Sequence, residues 1–364
     1  MRRILLVSAS ARPGGAERAL LSLAQGLPEQ GWQPVPVLLE DGPLREWLGE
    51  DTTLLAAGRT RQLGRSLSTV LSLARLAREH DAAAIVSSLS KTHIYGGLAA
   101  HRAGIPAIRW QHDIPRRSRV ERAAALVPAK LVICVGEASA EAQQLLTPRT
   151  PVAVVHPGVP VDEIARAAGS GASIRAARHD AGPLIGTVGR LQQGKGQEAF
   201  LHAAAAIAER LPEARFAVVG GAVLGFEGGY AERLERLAAE LGIAERIHFA
   251  GHQEDVRPWL DALDITVQLS EIDSFGLVLV EAMAIGTPLI AIARGGAREI
   301  VEDGVSGLLI PDGAPGTVSD AVIRLTEHPD LVERLRAGGR ERAPQFSPAR
   351  SAAAFAAALE EAIR

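Results

Sequence analysis

Short apolar runs rich in Val, Ile and Leu alternate along the chain with longer segments of helical period. In the first half the runs are Ile4–Val7, Val35–Leu39, Thr53–Ala56, Ala84–Ser87, Ala107–Trp110, Leu131–Val135 and Val152–Val155. Helical spacing fills the intervals near 15–28, 64–80, 92–103, 118–127 and 137–146. The second half repeats the pattern with Leu184–Val188, Arg215–Val219, Ile247–Phe249, Ile265–Gln268, Leu289–Ala293 and Gly307–Ile310. Its helices are expected near 195–210, 229–241, 254–263, 277–285, 296–302, 316–327 and 330–340. Continuous apolar strands separated by helices predict parallel sheets covered on both faces. Two such series predict an α/β chain of two Rossmann-like doubly wound domains.

The boundary is marked by His156-Pro157-Gly158-Val159-Pro160. After it, Gly169-Ser170-Gly171-Ala172-Ser173 has the composition of a flexible tie. The tail Ser347–Arg364 reads as an amphipathic helix, with Phe355 and Leu359 four residues apart. A length of 364 residues suits two domains. The 47% hydrophobic and 22% charged composition excludes a disordered, collagenous or coiled-coil chain. A single cysteine, Cys134, excludes a disulfide framework or a cysteine-based zinc site and reads as a core thiol. The N-terminal apolar run ends at Ser8, too early for a signal-peptide core, so a cytoplasmic protein is expected.

Charge is uneven. Residues 1–158 carry 19 Lys+Arg against 13 Asp+Glu, and the remainder carries the opposite excess, giving −3 in all. That balance gives no reason to expect nucleic acid as a partner. Only three of the 39 basic residues are lysines, so Lys195, inside a glycine-rich loop, stands out.

Ligands of doubly wound sheets bind beyond the carboxyl ends of the strands. After the first strand comes Gly14-Gly15-Ala16-Glu17-Arg18, a turn that lets backbone approach an anion at a helix start. After the second domain's first strand comes Gly189-Arg190-Leu191-Gln192-Gln193-Gly194-Lys195-Gly196. It offers a guanidinium fork and an ammonium point charge, the chemistry of a diphosphate site. After Leu269 an acid-rich loop with Asp273 and Ser274 leads through Phe275-Gly276-Leu277 into a helix that stops at Gly286. Amides at that helix start suit a phosphate. Glu281, an acid among Leu279, Val280, Ala282 and Met283, suits a ribose diol, and Asp273 suits a sugar hydroxyl. His248 alternates with apolar residues and reads as structural. Gly220-Gly221 and Gly251-His252-Gln253 follow strands and are candidate base-pocket walls.

Taken in order, Gly14 to Arg18, Gly189-Arg190-Leu191 with Lys195-Gly196, the acid-x7-acid pair Asp273 and Glu281, and Gly286-Thr287-Pro288 resemble the family 4 glycosyltransferases. The resemblance runs from Gly14 to the C-terminal helix. It implies the GT-B fold, two Rossmann-like domains facing a cleft, with the last helix crossing back to the first. The domains are then 1–158 plus 347–364 on the acceptor side and 159–346 on the nucleotide-sugar side. It implies retaining transfer from a UDP- or GDP-type sugar without metal or cofactor. It implies donor contacts from Gly14, Gly15, Arg190, Lys195, Asp273, Ser274, Phe275, Gly276, Leu277 and Glu281. His112, in Trp110-Gln111-His112-Asp113, falls at the family's histidine beside the reacting carbon. His112, Arg190, Lys195 and Asp273 are the catalytic candidates. One departure is Asp273 itself, where the family usually has Glu. The shorter side chain withdraws the carboxylate by about 1.5 Å.

Alternatives stay open. A nicotinamide oxidoreductase wants a GxGxxG turn that is absent. A GT-B sugar-nucleotide epimerase wants further carboxylates, and a non-catalytic nucleotide-sugar-binding protein would not need His112. The basic stretch holding Arg116, Arg117, Arg119 and Arg122 reads as a solvated helix face, a phosphorylated-acceptor site or peripheral contact with an anionic inner membrane face. Tyr95 and Trp110 are candidates to stack on an acceptor ring.

Overall fold

The computed structural model describes residues 1–11, 14–55, 63–116, 118–177, 182–221 and 229–364. They form two compact units, Met1–Val159 with Ser347–Arg364, and Pro160–Phe346.

In the first unit the order is β1 (Arg2–Ser8), α1 (Gly15–Gly26), β2 (Trp32–Leu38), α2 (Pro43–Leu48), β3 (Thr53–Leu54), α3 (Leu63–Glu79), β4 (Ala82–Ser88), α4 (Ser90–Ala103), β5 (Ala107–Gln111), α5 (Arg119–Ala125), β6 (Leu131–Cys134), α6 (Glu137–Leu146) and β7 (Val152–Val154). The second unit continues with α7 (Val161–Arg166), α8 (Ala172–Ala176), β8 (Leu184–Val188), α9 (Gln197–Arg210), β9 (Arg215–Val219), α10 (Tyr230–Glu240), β10 (Ile247–Gly251), α11 (Arg257–Ala262), β11 (Ile265–Gln268), α12 (Leu277–Ile285), β12 (Leu289–Ile292), α13 (Ala297–Ile300), β13 (Leu308–Ile310), α14 (Pro315–Glu327) and α15 (Pro329–Arg342). Helix α16 (Pro348–Ile363) returns to the first unit.

The first sheet runs β3-β2-β1-β4-β5-β6-β7 and the second β10-β9-β8-β11-β12-β13. Every strand pair is parallel. Strand order reverses between β1 and β4 in one sheet and between β8 and β11 in the other, the two places where such sheets bind ligands. The central strands are apolar and buried because helices cover both faces. Ile4, Leu5, Leu6 and Val7 of β1 are all fully buried.

Helix α12 is apolar on every side, and Glu281 is its one charged residue. It packs against α7, α11 and α15, so a helix with no polar face is buried from several directions. Helix α16 buries Ala352, Phe355, Ala356 and Leu359 against the first unit, where it contacts α1. Ser351 Oγ donates to His156 O at 2.7 Å. A Cβ on Gly26 would stand 2.8 Å from that of Ala352, which shows how closely the two helices approach.

Several expectations change. The segment Gly169–Ser173 is no free tie. Asp261 accepts from the amides of Gly169 (2.9 Å) and Gly171 (2.8 Å), and the chain enters α8. His248 is exposed and stacks on Trp259 at 5.3 Å, because β10 is the sheet's edge. Tyr95 and Trp110 are 2% and 1% exposed, so neither ring is available to an acceptor. The strand expected over Thr53–Ala56 is described only as far as Leu54, and Ala56 lies outside the described residues. Cys134 is buried, and burial pushes its thiol up to about 11. Among the described residues no helix is long and apolar enough to cross a membrane.

Candidate active site

The carboxyl edge of the second sheet gathers most of the expected donor residues. The amides of Gly189, Leu191 and Gly220 donate to Val219, Gly221 and Gly251, so the turns after β8, β9 and β10 are stitched together by backbone. Gly196 caps α9 with φ +87°, and a Cβ there would meet the Leu269 carbonyl at 2.4 Å. Only glycine allows both this conformation and this approach. The loop holding Lys195 is thereby pressed against the end of β11.

The Lys195 ammonium forms an ion pair with Asp273, their side chains 20% and 27% exposed. The sequence suggested separate partners for these two groups, a diphosphate and a sugar. The fold brings them together. Arg190 is exposed, and among the described residues no carboxylate pairs with it. Its carbonyl accepts from Gln197 Nε2 at 3.0 Å, and Gln197 is 2% exposed. Gln197 thus braces the Arg190 backbone, a role that sequence reading missed.

Phe275 is 3% exposed and packs edge-on against Phe346, with ring centroids 5.6 Å apart. Gly276 caps α12 with φ +102°. Of the first-turn amides, that of Leu279 donates to the Gly276 carbonyl at 3.0 Å, while those of Leu277 and Val278 come too early in the helix for an acceptor within it. Glu281 is half-buried. Hydrogen bonds that Arg257 donates to the Asp255 carboxylate raise its guanidinium above its usual value, and the Glu163 and Glu281 carboxylates add to this. Glu281 therefore lies in the field of a cation.

Gly295 and Gly296, after β12, went unnoticed in the sequence. A Cβ on Gly295 would meet the Asp273 carbonyl at 2.2 Å, and one on Gly296 would meet the Phe275 carbonyl at 1.9 Å. The Gly296 amide donates to Asp273 O at 3.2 Å. The signal was present as a glycine pair after a strand, the same one read at Gly14-Gly15. A cavity of about 300 Å³ borders the loop and is lined by Gln193, Gly194, Glu198, Tyr230 and Glu271 among others. Arg190, Lys195 and Glu281 do not line it, so the diphosphate candidates lie outside it.

In the first unit Gly14 caps α1 at the end of β1, and Gly15 opens the helix. The preceding Pro13 lies outside the described residues. Thr92 of α4 accepts from the Ala9 amide at 3.0 Å, which ties the loop after β1 to the helix after β4. His112 follows β5. Its ring lies 4.2 Å from that of Trp110, which in turn meets Phe355 of α16 at 5.1 Å. Desolvation lowers the His112 pKa from 6.5 to about 3, so the imidazole is neutral across the working range. It can exchange hydrogen bonds but carries no charge. Arg116, Arg119 and Arg122 are exposed, whereas Glu121, inside that basic stretch, is turned inward to Arg109. Arg117 lies outside the described residues.

Two doubly wound sheets, with cations and glycine-capped helices at a strand-order reversal, define a nucleotide-binding protein of the Rossmann-like class. Residues 173–342 match the family described as glycosyl transferases group 1, and residues 13–163 match glycosyltransferase family 4. A D-inositol 3-phosphate glycosyltransferase of Streptomyces bingchenggensis is 33% identical over 293 residues, covering 74% of this chain and 64% of that one. D-inositol 3-phosphate glycosyltransferase 2 of Catenulispora acidiphila is 34% identical over 295 residues, covering 74% and 68%. The chain therefore spans under two thirds of the length of the first relative and slightly over two thirds of the second. Among solved structures, Anabaena Alr3699/HepE in complex with UDP-glucose matches with a TM-score of 0.87 at 25% identity, covering 99% of this chain and 100% of that one. This chain belongs to the family 4, group 1 glycosyltransferases and has the GT-B fold.

Proposed function

We propose that this protein moves a hexose-type sugar from a UDP-type nucleotide sugar to a hydroxyl of an acceptor, with retention of configuration and without a metal. The observation that carries this is the grouping of Arg190, Lys195, Asp273 and the start of α12 on the loops after β8 and β11, which flank the reversal of strand order. The UDP-glucose complex of the similar Anabaena protein supports the choice of nucleotide.

Each group has a task in this proposal. Arg190 and Lys195 take the diphosphate, joined by the first-turn amides of α12. Glu281 accepts from the ribose diol. Asp273 and Ser274 hold the sugar. Gly14 and Gly15 lend backbone to the phosphate end, and His112 meets the sugar as a neutral hydrogen-bonding group. The bond from anomeric carbon to phosphate oxygen breaks, and the acceptor oxygen joins that carbon on the same face. The acceptor's proton passes to the departing phosphate oxygen. Rate comes from orientation and from cations placed where charge grows on the diphosphate.

The acceptor is proposed to be anionic. Arg116, Arg119 and Arg122 project from the region of α5 into solvent. The name of the curated relatives supports a phosphorylated polyol as acceptor. Val120 and Leu126 are 46% and 83% exposed among the arginines, which supports peripheral contact with an anionic cytoplasmic membrane face.

The test is transfer from UDP- and GDP-hexoses to phosphorylated and neutral polyols, with and without EDTA, beside sedimentation with anionic and neutral vesicles. Turnover of a UDP-sugar in EDTA is expected. Activity lost in EDTA and restored by Mg²⁺ or Mn²⁺ would overturn metal independence. Tight nucleotide-sugar binding with no turnover would make this a binding protein.

A further inference from the structure

Strand β5 alternates at its end. Ile108 and Trp110 face one way, and Arg109 and Gln111 the other. Arg109, Gln111, Ser90 and Glu121 are 1%, 0%, 4% and 7% exposed, a buried charged cluster beneath the first unit's carboxyl edge. We propose that Arg109, Glu121 and Ser90 are positioning residues that act through Gln111 to fix the backbone on both sides of His112. This rests on the reading of His112 as a site residue.

The order of hydrogen bonds gives the network a direction. Glu121 accepts from Arg109 and from Ser90 Oγ. Arg109 Nη2 lies 2.6 Å from both Ser90 Oγ and Gln111 Oε1, and its Nε is 3.0 Å from the same Oε1. A guanidinium only donates, so it selects the Gln111 oxygen. The Gln111 amide nitrogen is therefore turned toward Asp113, where it donates to the carboxylate and, at 3.3 Å, to the carbonyl. That carbonyl also accepts from Ser139 Oγ at 2.8 Å. On the other side, the Gln111 carbonyl accepts from the Val135 amide at 3.1 Å. Residues 111 and 113 are both pinned, and the direction of the residue between them follows.

Stability alone gives little reason for this cluster. A buried ion pair is commonly no better than well-packed apolar side chains of similar volume, whereas its geometry is specific. Here that geometry ends on the segment that carries His112. A shift of about 1 Å in a site residue can cost about 100-fold in rate.

The experiment compares wild type, Glu121→Gln, Arg109→Lys and the apolar double variant Arg109→Met/Glu121→Leu. His112 is followed by NMR titration, assigned with His112→Gln, alongside steady-state transfer kinetics and calorimetric binding of UDP. In each variant kcat is expected to fall about 10- to 100-fold with donor KM within about threefold. The His112 pKa is expected to rise from about 3 toward 6.5 as water enters, and UDP affinity is expected to hold. The double variant leaves no charge unpaired, so it covers the case in which Glu121→Gln does not fold. A folded double variant with wild-type kcat and an unchanged His112 titration overturns the proposal. If wild type transfers no sugar, the proposed activity fails, while the His112 titration still decides whether the network holds that segment.

Discussion

Replacing Asp273 by Asn separates two roles that have opposite signs. In the structure its carboxylate holds the Lys195 ammonium, with both side chains about a quarter exposed. An exposed ion pair is worth about 0.2–1 kcal/mol. A charge-assisted hydrogen bond in drier surroundings is worth about 1.5–3 kcal/mol. Partial exposure places this pair between them, at about 1–2 kcal/mol. A diphosphate that takes Lys195 has to break the pair, so wild-type affinity is lowered by that amount. Asp273→Asn removes the competing anion, and UDP binding should tighten about 5- to 30-fold. The same change turns a charged acceptor for a sugar hydroxyl into a neutral one, roughly halving that bond. Losing about 1–2 kcal/mol in the transition state lowers kcat about 5- to 30-fold. Calorimetry with UDP and single-turnover transfer in the same buffer measure both. The gap in UDP affinity should narrow at high salt, where the exposed part of the pair is screened. Weaker UDP binding by Asp273→Asn would refute the competition, and unchanged transfer would remove Asp273 from the sugar.

Lys195→Ala should lower kcat/KM about 30- to 1000-fold, corresponding to about 2–4 kcal/mol, with partial rescue by Lys195→Arg. A loss under about fivefold places the ammonium outside the reaction. Glu281→Gln should weaken UDP binding about tenfold with the melting temperature preserved, and unchanged affinity in calorimetry would make Glu281 a structural residue. Desolvation holds His93 at about 4 against 6.5 unfolded, outweighing its bond to the Val127 carbonyl. The folded state then binds fewer protons between these values, so stability is complete above pH 6.5 and is lost as pH falls through 4. The loss is roughly 3 kcal/mol, and denaturant melts of His93→Phe should show a shallower acid slope. His112, at about 3, should put no limb on the pH profile of kcat between pH 5.5 and 8, and a limb near 6.5 that disappears in His112→Gln would contradict its burial.

Local signals carried the strands and the longer helices. Leu184–Val188, Arg215–Val219 and Ile265–Gln268 are legible to the residue because each is a short run rich in Val, Ile and Phe set between segments of helical period. Helix α12 is bounded as expected because Gly276 and Gly286 stop it at both ends. The short helices α2, α7 and α8 escaped, since five or six residues give too little period to read. The segment Gly169–Ser173 has the composition of a linker, yet what fixes it is Asp261, about 90 residues away. Lys195 and Asp273 were each legible as site residues, but their pairing spans 78 positions and left no local trace. Glu121 was lost in a run of arginines. The available signal was Arg109, a charged residue within an apolar strand, which must have a partner if buried.

The two sheets present different chemistry at equivalent positions, and the difference follows from what each has to meet. A diphosphate arrives with its own charge, so its partners have to be exchangeable. Arg190 is exposed and Lys195 is held by a partner it can leave, on loops fixed by glycine-to-backbone contacts and by Gln197. A hydroxyl-rich sugar offers no charge, and a charged imidazole beside it would bring water. In the first unit the charges are instead buried beneath the edge, in Arg109 and Glu121, and what reaches the edge is glycine backbone and a neutral His112. In the proposed reaction the cations that meet the charge developing on the departing diphosphate then come from the second unit. The consequences of substitution should divide in the same way. Changes at Lys195 or Arg190 alter nucleotide binding and rate together. Changes at Arg109 or Glu121 alter rate and leave the nucleotide untouched.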